Sequence, residues 1–381
     1  MKLLDRYVLR NFIEPFFLCF FGFISIWLVF DLRDNLGEFI EYHTSVKLIV
    51  RFYLSQLPAI IVLSVPVGLL LALLFALSKM SRHNEIISML TAGRSVFRVL
   101  VPLMLVGLAA SAFCFVLNGE WAPHAEAIKK HMQEQITKGD KRAEDSLLVE
   151  GYLFRNRQDY RIWFVRRFRV NSKDLDGVQI SQQDDQGNVT KKWYAQRATF
   201  KAQDHSWILI RGTYLEFDEK GDIVKSENFT DPKEYRTITG WSETPWRIAS
   251  GQLEAQNLSI EELRDYLKYN ADFPDAQLAP FRTNLADRFA FPLSCFVVIF
   301  IAAPLGIVFT RRGVLASVAG SIFIFFAMIM LRYFFLAMGK GSHLNPTIAA
   351  WICDVVFFFI GVLLLSLRSS NRELPSLIFW K

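Results

Sequence analysis

What most constrains this chain is a set of six long stretches almost free of charge. They fall at about residues 13–30, 47–77, 96–117, 285–309, 314–338 and 346–367. A helix rising ~1.5 Å per residue needs roughly 20 residues to cross ~30 Å of hydrocarbon, and each stretch is about that long or longer. Inside a bilayer the backbone has only itself to hydrogen-bond, so each stretch is expected to be a helix. The second contains Pro58 and Pro66, which predicts a kink or a strong tilt. The first lacks a small-residue cleavage site and leads into charged sequence, so it is expected to stay in the protein as a span.

Hydrophobic residues make up 52% of the 381 positions and charged residues 21%, with 35 Phe, which excludes an ordinary soluble enzyme. The net charge of +6 is not a nucleic-acid footprint. Residues 119–285 hold 25 Lys and Arg against 27 Asp and Glu, so the excess lies in short loops between apolar runs. Lys2, Arg6, Arg10, Lys79, Arg82, Arg94, Arg98, Arg311, Arg312, Arg368, Arg372 and Lys381 all fall on one side if both termini are cytoplasmic. Residues 31–41 carry Asp31, Asp34, Glu38 and Glu41 against Arg33 alone. The expected topology is six spans with both ends inside and the block between spans three and four outside.

That block reads as β-structure. Residues 160–170, 193–200, 207–217 and 234–239 are rich in β-branched and aromatic side chains. Turn sequences separate them at 171–174, 184–188 and 218–222. A jelly-roll-like all-β domain is expected across residues 119–284, flanked by membrane regions at 1–118 and 285–381. Ser259 and Glu262 form a capping box that starts a helix at about residues 260–269, and residues 270–280 read as a linker. The four cysteines, Cys19, Cys114, Cys295 and Cys353, all lie in apolar runs, so no disulfide framework is expected.

No phosphate-binding G-x-x-x-x-G-K-[ST] sequence is present, and no HExxH or G-x-S-x-G. The expectation is a chain with no catalytic residues, no cofactor, no metal and no ATP site of its own. His124 and His131 are spaced seven apart on a helix and read as surface residues. Residues 82–92 form an amphipathic pattern stopped by Gly93, a helix able to lie on the membrane face and offer Glu85 to a partner, or else a plain basic loop that sets topology. Ionisable groups inside spans are costly and suggest function. Arg332 and Asp354 lie at matching depth, ~10 Å below the outer surface at ~1.5 Å per residue, and are placed to pair. Arg33, Lys47, Arg51 and Arg288 lie near the same surface. With Arg332 they are expected to form a basic rim for an anionic amphiphile, against the alternative of side chains snorkelling to headgroups. Residues 1–12, with Leu4, Tyr7, Val8 and Phe12 on one face, read as an interfacial helix.

The order of several short motifs resembles the LptF/LptG permeases, the transmembrane subunits of the ABC exporter that extracts lipopolysaccharide from the inner membrane. The motifs are Leu4-Asp5-Arg6-Tyr7, Pro66-Val67-Gly68-Leu69-Leu70, the run from Asn84 to Gly93, Gly119-Glu120-Trp121-Ala122-Pro123, Leu258-Ser259 with Leu263, Arg288-Phe289-Ala290-Phe291-Pro292, Pro304-Leu305-Gly306 and Leu344-Asn345-Pro346. The first and fourth are closer to LptG than to LptF.

The resemblance implies a heterodimer with an LptF-like permease, an LptB-like ATPase dimer, a single-span LptC-like partner and lipopolysaccharide as cargo. It makes the loop helix a coupling helix, with Arg82, Asn84, Glu85, Ile86, Met89 and Leu90 toward the ATPase. It implies that spans one, two and five line the lipid cavity, and that the β-domain hands lipid to a periplasmic bridge. Arg33, Lys47, Arg51, Arg332 and Asp354 as lipid-binding residues come from depth, and Asp354 departs from the small or amide residues of the family there. Two other classes remain in view: a lipid-modifying membrane enzyme, which needs an acid/base set at the outer surface, and a membrane scaffold with a binding insert.

Overall fold

In the computed structural model, described over residues 3–138, 148–169, 172–229, 235–250, 254–271, 273–307 and 313–369, the chain forms two compact units. One contains residues 1–129, 255–267 and 274–381, and the other residues 130–254 and 268–273. Lys2, Arg311, Arg312, Arg372 and Lys381 lie outside the described residues.

The first unit is helical. Its long helices are α1 (Leu3–Glu41), α2 (Val46–Arg82) and α4 (Val96–Val116), with the short α3 (Glu85–Thr91) joining α2 to α4. A π-turn (Leu117–Trp121) leads from α4 into α5 (Ala122–Lys138). Among the described residues six helices are long and apolar enough to cross a membrane, the last three lying beyond the β insert. The expected interfacial helix at residues 1–12 is instead continuous with the first span. No residue between Leu3 and Glu41 breaks the helix, Pro15 included, and Val8 and Phe12 are buried in the helical core. Asp5 holds this end by accepting from Arg98 on α4 at 3.1 Å. The acidic stretch 31–41 is likewise helix rather than loop, and Asp31 pairs with Lys129 of α5 at 3.2 Å.

After the β insert come α6 (Pro245–Ala249), α7 (Ile260–Tyr269), α8 (Asp275–Gly306), α9 (Gly313–Lys340) and α10 (Pro346–Ser369). The capping box forms: Ser259 N–H donates to Glu262 at 2.8 Å, and Glu262 N–H donates to the Ser259 hydroxyl at 3.2 Å. The linker is shorter than expected, because α8 begins at Asp275 and runs through Pro280. Helix α8 is the centre of the unit, buried along most of residues 290–306. Small residues let neighbours come close. A Cβ at Gly361 of α10 would sit 2.8 Å from Phe300 Cβ and 2.9 Å from its carbonyl carbon, so a larger residue there would push the two helices apart. Phe17, Phe21, Phe30, Phe323, Phe326, Phe334 and Phe359 point outward, which is stable only against lipid or another chain.

The second unit is built on a seven-stranded antiparallel sheet: β1 (Leu148–Asn156), β2 (Arg161–Arg169), β3 (Asp174–Gln183), β4 (Val189–Lys201), β5 (Ser206–Phe217), β6 (Ile223–Phe229) and β7 (Tyr235–Thr239). The first six pair in sequence order as a meander, and β7 shares the free edge of β5 with β6. An all-β insert is what the turn spacing predicted. Strands β1, β3 and β6 lie outside the β-segments read from sequence, since their polar and charged positions weaken the strand pattern. Two of the expected turns close hairpins in the same way: the Asp184 carboxylate accepts from the Gln186 and Asn188 amides, and Asp218 accepts from those of Lys220 and Asp222.

The core of this unit is aromatic. Trp163 stacks at a tilt on Trp207 (5.0 Å) and edge-on against Trp241 (5.4 Å), and Trp241 meets Trp193 at 5.2 Å. Beside it lies a buried charge cluster. Glu243, fully buried, accepts from Arg161 Nε at 2.8 Å and Nη2 at 3.1 Å, while Arg161 also pairs with Asp159 at 2.5 Å. Arg247 donates to Ser242, Asn156 and the Tyr269 carbonyl. Burial alone would raise the Asp159 pKa, but the Ser242 hydroxyl, Arg161, Asn156 and Arg247 together hold it below the ordinary carboxylate range.

Two outcomes follow. Glu243→Ala removes the buried partner of the Arg161 guanidinium and leaves it only Asp159, and it should destabilise the β unit by about 3–5 kcal/mol, measured as a drop in its thermal transition. A depressed folded-state pKa contributes stability that is present above the unfolded value of about 3.9 and is lost as pH falls through the folded value. Asp159→Asn should therefore lower stability at neutral pH and flatten its acid dependence, read by melting across a pH series.

Candidate functional site

The connection between α2 and α4 is a rigid bracket. Helix α2 continues through Arg82, the chain turns at His83 and Asn84, and Asn84 takes a left-handed conformation (φ 57°) that ends the helix. Helix α3 then spans only Glu85–Thr91, shorter than the expected 82–92. The Ser88 hydroxyl donates back to the Asn84 carbonyl at 2.9 Å. Gly93 stops the helix as its sequence predicts: with φ +80° its N–H donates to the Leu90 carbonyl, and Arg94 N–H donates to that of Met89. The Ser95 hydroxyl then accepts from Arg98 N–H to start α4.

The six residues expected to face a partner divide into two groups. Ile86 (1% exposed) and Met89 (9%) are seated in the helical core, and Leu90 packs against it. They fix α3 to the bundle, with Leu90 half-buried at its edge. Arg82 and Asn84 are exposed, and Glu85 is half-buried. Glu85 Oε2 is shielded from solvent and has no hydrogen-bond partner among the described residues. A desolvated carboxylate oxygen without a donor is costly, so this is the position in the bracket most in need of one.

Arg33 lies on the last part of α1, and Lys47 and Arg51, four residues apart, lie on the first turns of α2. All three are exposed, and among the described residues none forms an ion pair. Aromatic packing fixes this hairpin: Phe39 meets Phe52 at 5.7 Å and Tyr53 at 6.4 Å. These three cations are therefore free to meet an anion.

Arg332 is different. It pairs with Asp354, as the matching depth predicts, with Nη1 donating to Oδ2 at 2.8 Å. Its Nη2 donates to Asp287 of α8, and its guanidinium lies 4.9 Å from the centre of the Phe291 ring. Arg332 is 4% exposed and Asp354 1%, so both are interior to the packing of α8, α9 and α10. A lipid phosphate reaching Arg332 would have to displace two carboxylates. Of the residues expected at the basic rim, Arg33, Lys47 and Arg51 are exposed, and Arg332 and Asp354 are paired in the interior. Arg288 is also tied inward, donating to Asn118 Oδ1 at 3.0 Å and to the Gln256 carbonyl at 2.5 Å. Asp287 was not singled out as a partner because it lies at the edge of an apolar run.

Arg332→Ala leaves the buried Asp354 and the half-buried Asp287 without their cation and should cost about 3–5 kcal/mol, seen as a lower melting temperature of the detergent-solubilised protein. Adding Asp354→Asn to that variant should recover part of the loss. Wild-type melting of the single variant would mean that Arg332 is not a structural tie.

His124 Nε2 lies 2.9 Å from Glu262 Oε2, a contact between α5 and α7. The four cysteines are free, with the Cys114 and Cys295 sulfurs 3.7 Å apart between α4 and α8. Six spans, a β insert and a short bracket helix between the second and third spans set the frame for comparison with known proteins. The protein is similar to the lipopolysaccharide export system permease protein LptG of Haemophilus influenzae Rd, 22% identical over 267 residues that cover 70% of this chain and 71% of that protein. The sequence profile of the lipopolysaccharide export system permease LptF/LptG matches residues 6–367. That match runs from the first helix to the last and takes in the β insert, and the chain belongs to the LptF/LptG permease family.

Proposed function

We propose that this chain is a transmembrane permease subunit of an ABC exporter that extracts lipopolysaccharide from the bacterial inner membrane and passes it to a periplasmic bridge. In this reading a separate ATPase dimer drives it, an LptF-like permease completes the lipid cavity, and a single-span LptC-like protein receives the cargo. Both termini are cytoplasmic and the β unit is periplasmic. Family membership and the LptG relative support the transport role.

The observation that carries the coupling role is the bracket helix. Ile86 and Met89 lock α3 into the core while Glu85 presents a carboxylate oxygen that has no hydrogen-bond partner among the described residues. A push on α3 is therefore transmitted to α2 and α4 rather than absorbed by a loose loop. An arginine from the ATPase is the donor that fits, since a guanidinium binds a carboxylate with two parallel hydrogen bonds. The free cations Arg33, Lys47 and Arg51 are suited to the phosphates of the cargo.

Glu85→Arg should weaken association with the ATPase by about 2–5 kcal/mol, or uncouple hydrolysis from lipid release, while the melting temperature holds. Co-purification and transport at wild-type levels would overturn the coupling role. The orientation has its own measurement. Cysteines placed at Ser181 and Asp222 should react with an impermeant thiol reagent in cells with a permeable outer membrane, and one at Ser88 should not. Reaction at Ser88 would reverse the topology.

A further inference from the structure

The sheet of the second unit is creased along one line, and the crease gathers arginines. In a regular strand every second residue faces the core. Here the spacing of core residues slips from two to three at one level: Trp163 and Val165 are followed by Phe168 on β2, Leu175 by Val178 and Ile180 on β3, and Trp193 and Ala195 by Ala198 on β4. Two consecutive residues per strand therefore turn away from the core. One resulting row is in register across the sheet, Glu150 opposite Arg167, Arg167 opposite Asp176, and Asp176 opposite Arg197. Between this row and the next in-register pairs, every second strand carries a left-handed residue: Gly151 (φ +64°), Gly177 (φ +64°) and Arg211 (φ 51°). Glycine takes that conformation freely, whereas arginine does so at a cost.

The crease forms a pocket of about 450 Å³ lined by Arg166, Arg167, Arg197 and Arg211 together with Gln196 and Asp176. Arg197 donates to Asp176 at 3.3 Å, and Arg167 lies 3.7 Å from Glu150 at the margin. Among the described residues, neither Arg166 nor Arg211 has an acidic partner. A Cβ on Gly177 would fall 2.8 Å from Arg166 Cβ and 2.9 Å from its Nε, so the missing side chain is the space that lets Arg166 lie across the crease. Four arginines line one concavity whose lining includes a single carboxylate, Asp176. Bringing like charges together is unfavourable unless an anion joins them.

We propose that this crease is a binding site for a compact phosphate-type anion, either a phosphorylated lipid headgroup or a free phosphate. Planar guanidiniums that engage two oxygens at once suit a multivalent phosphate better than an isolated carboxylate. The volume is within the range of small-ligand sites, roughly 300–1,000 Å³. The site does not depend on the transport reading, because its occupancy is measured without turnover.

The test uses the full-length chain in phosphatidylcholine nanodiscs, titrated by calorimetry with inorganic pyrophosphate, and in parallel its binding to phosphatidylcholine vesicles with and without phosphatidic acid. The wild-type protein should bind at least one of the two probes. Pyrophosphate binding identifies a soluble phosphate, and binding only to phosphatidic acid vesicles identifies a headgroup. Arg166→Gln and Arg211→Gly should each weaken binding about tenfold or more, the loss expected for one charge-assisted contact. Arg211→Gly places glycine at a φ that glycine favours, so the fold should hold, and Arg211→Lys should retain part of the affinity. The double variant Lys191→Gln with Lys192→Gln removes two cations from β4 away from the crease, one more than either arginine variant, and should leave binding unchanged. Unchanged affinity in the arginine variants, an equal loss in the lysine variant, or no binding of either probe would overturn the site.

Discussion

Hydrocarbon offers no partner to a charge or to a backbone amide, and the first unit is organised around that fact. Its embedded cations are tied to acceptors on other helices. Arg332 reaches from α9 to Asp287 on α8 and Asp354 on α10. Arg288 exchanges hydrogen bonds with Asn118 of the π-turn, and Arg368 donates to the Ile307 carbonyl beyond the end of α8. Each tie joins a different element to α8, so the helices meet in fixed register rather than merely side by side. Apolar packing alone supplies less such specificity in lipid, where the surrounding chains are as apolar as the core.

The second unit meets the same difficulty in another way. Its buried charges, Arg161, Glu243, Asp159 and Arg247, form one cluster in which the guanidiniums and carboxylates neutralise each other beside an interlocked set of tryptophans. Its exposed arginines at the crease are not balanced in this way. Charge is thus neutralised where the fold needs it and left in excess at the crease, where Arg166 and Arg211 have no acidic partner among the described residues. That contrast is what the proposed anion site rests on.

The bracket between α2 and α4 is held by the same helical core. Its helix is too short to be stable alone, since isolated helices below about 12–15 residues are marginal in water. The core supplies the missing stability through Ile86 and Met89. The same seating stiffens the bracket and leaves Arg82, Asn84 and Ser88 exposed on its other side.

Much of this was legible in the sequence because the physics is local. Spans are visible as length without charge, the capping box at Ser259 and the stop at Gly93 as short-range hydrogen bonding, and the β insert as turn residues at regular spacing. The Arg332–Asp354 pair was also accessible, since depth in a span follows from counting residues. Other features depended on which elements meet. The sequence pattern of α3 cannot say that Ile86 and Met89 face inward, because an amphipathic face serves a core and a partner equally well. Nothing local identifies Asp287 as the second anchor of Arg332, or separates that buried arginine from the exposed Arg33, Lys47 and Arg51. The crease is the clearest case. Arg166, Arg167, Arg197 and Arg211 are scattered over three strands, and only the slip in core spacing, shared by neighbouring strands in register, brings them to one pocket.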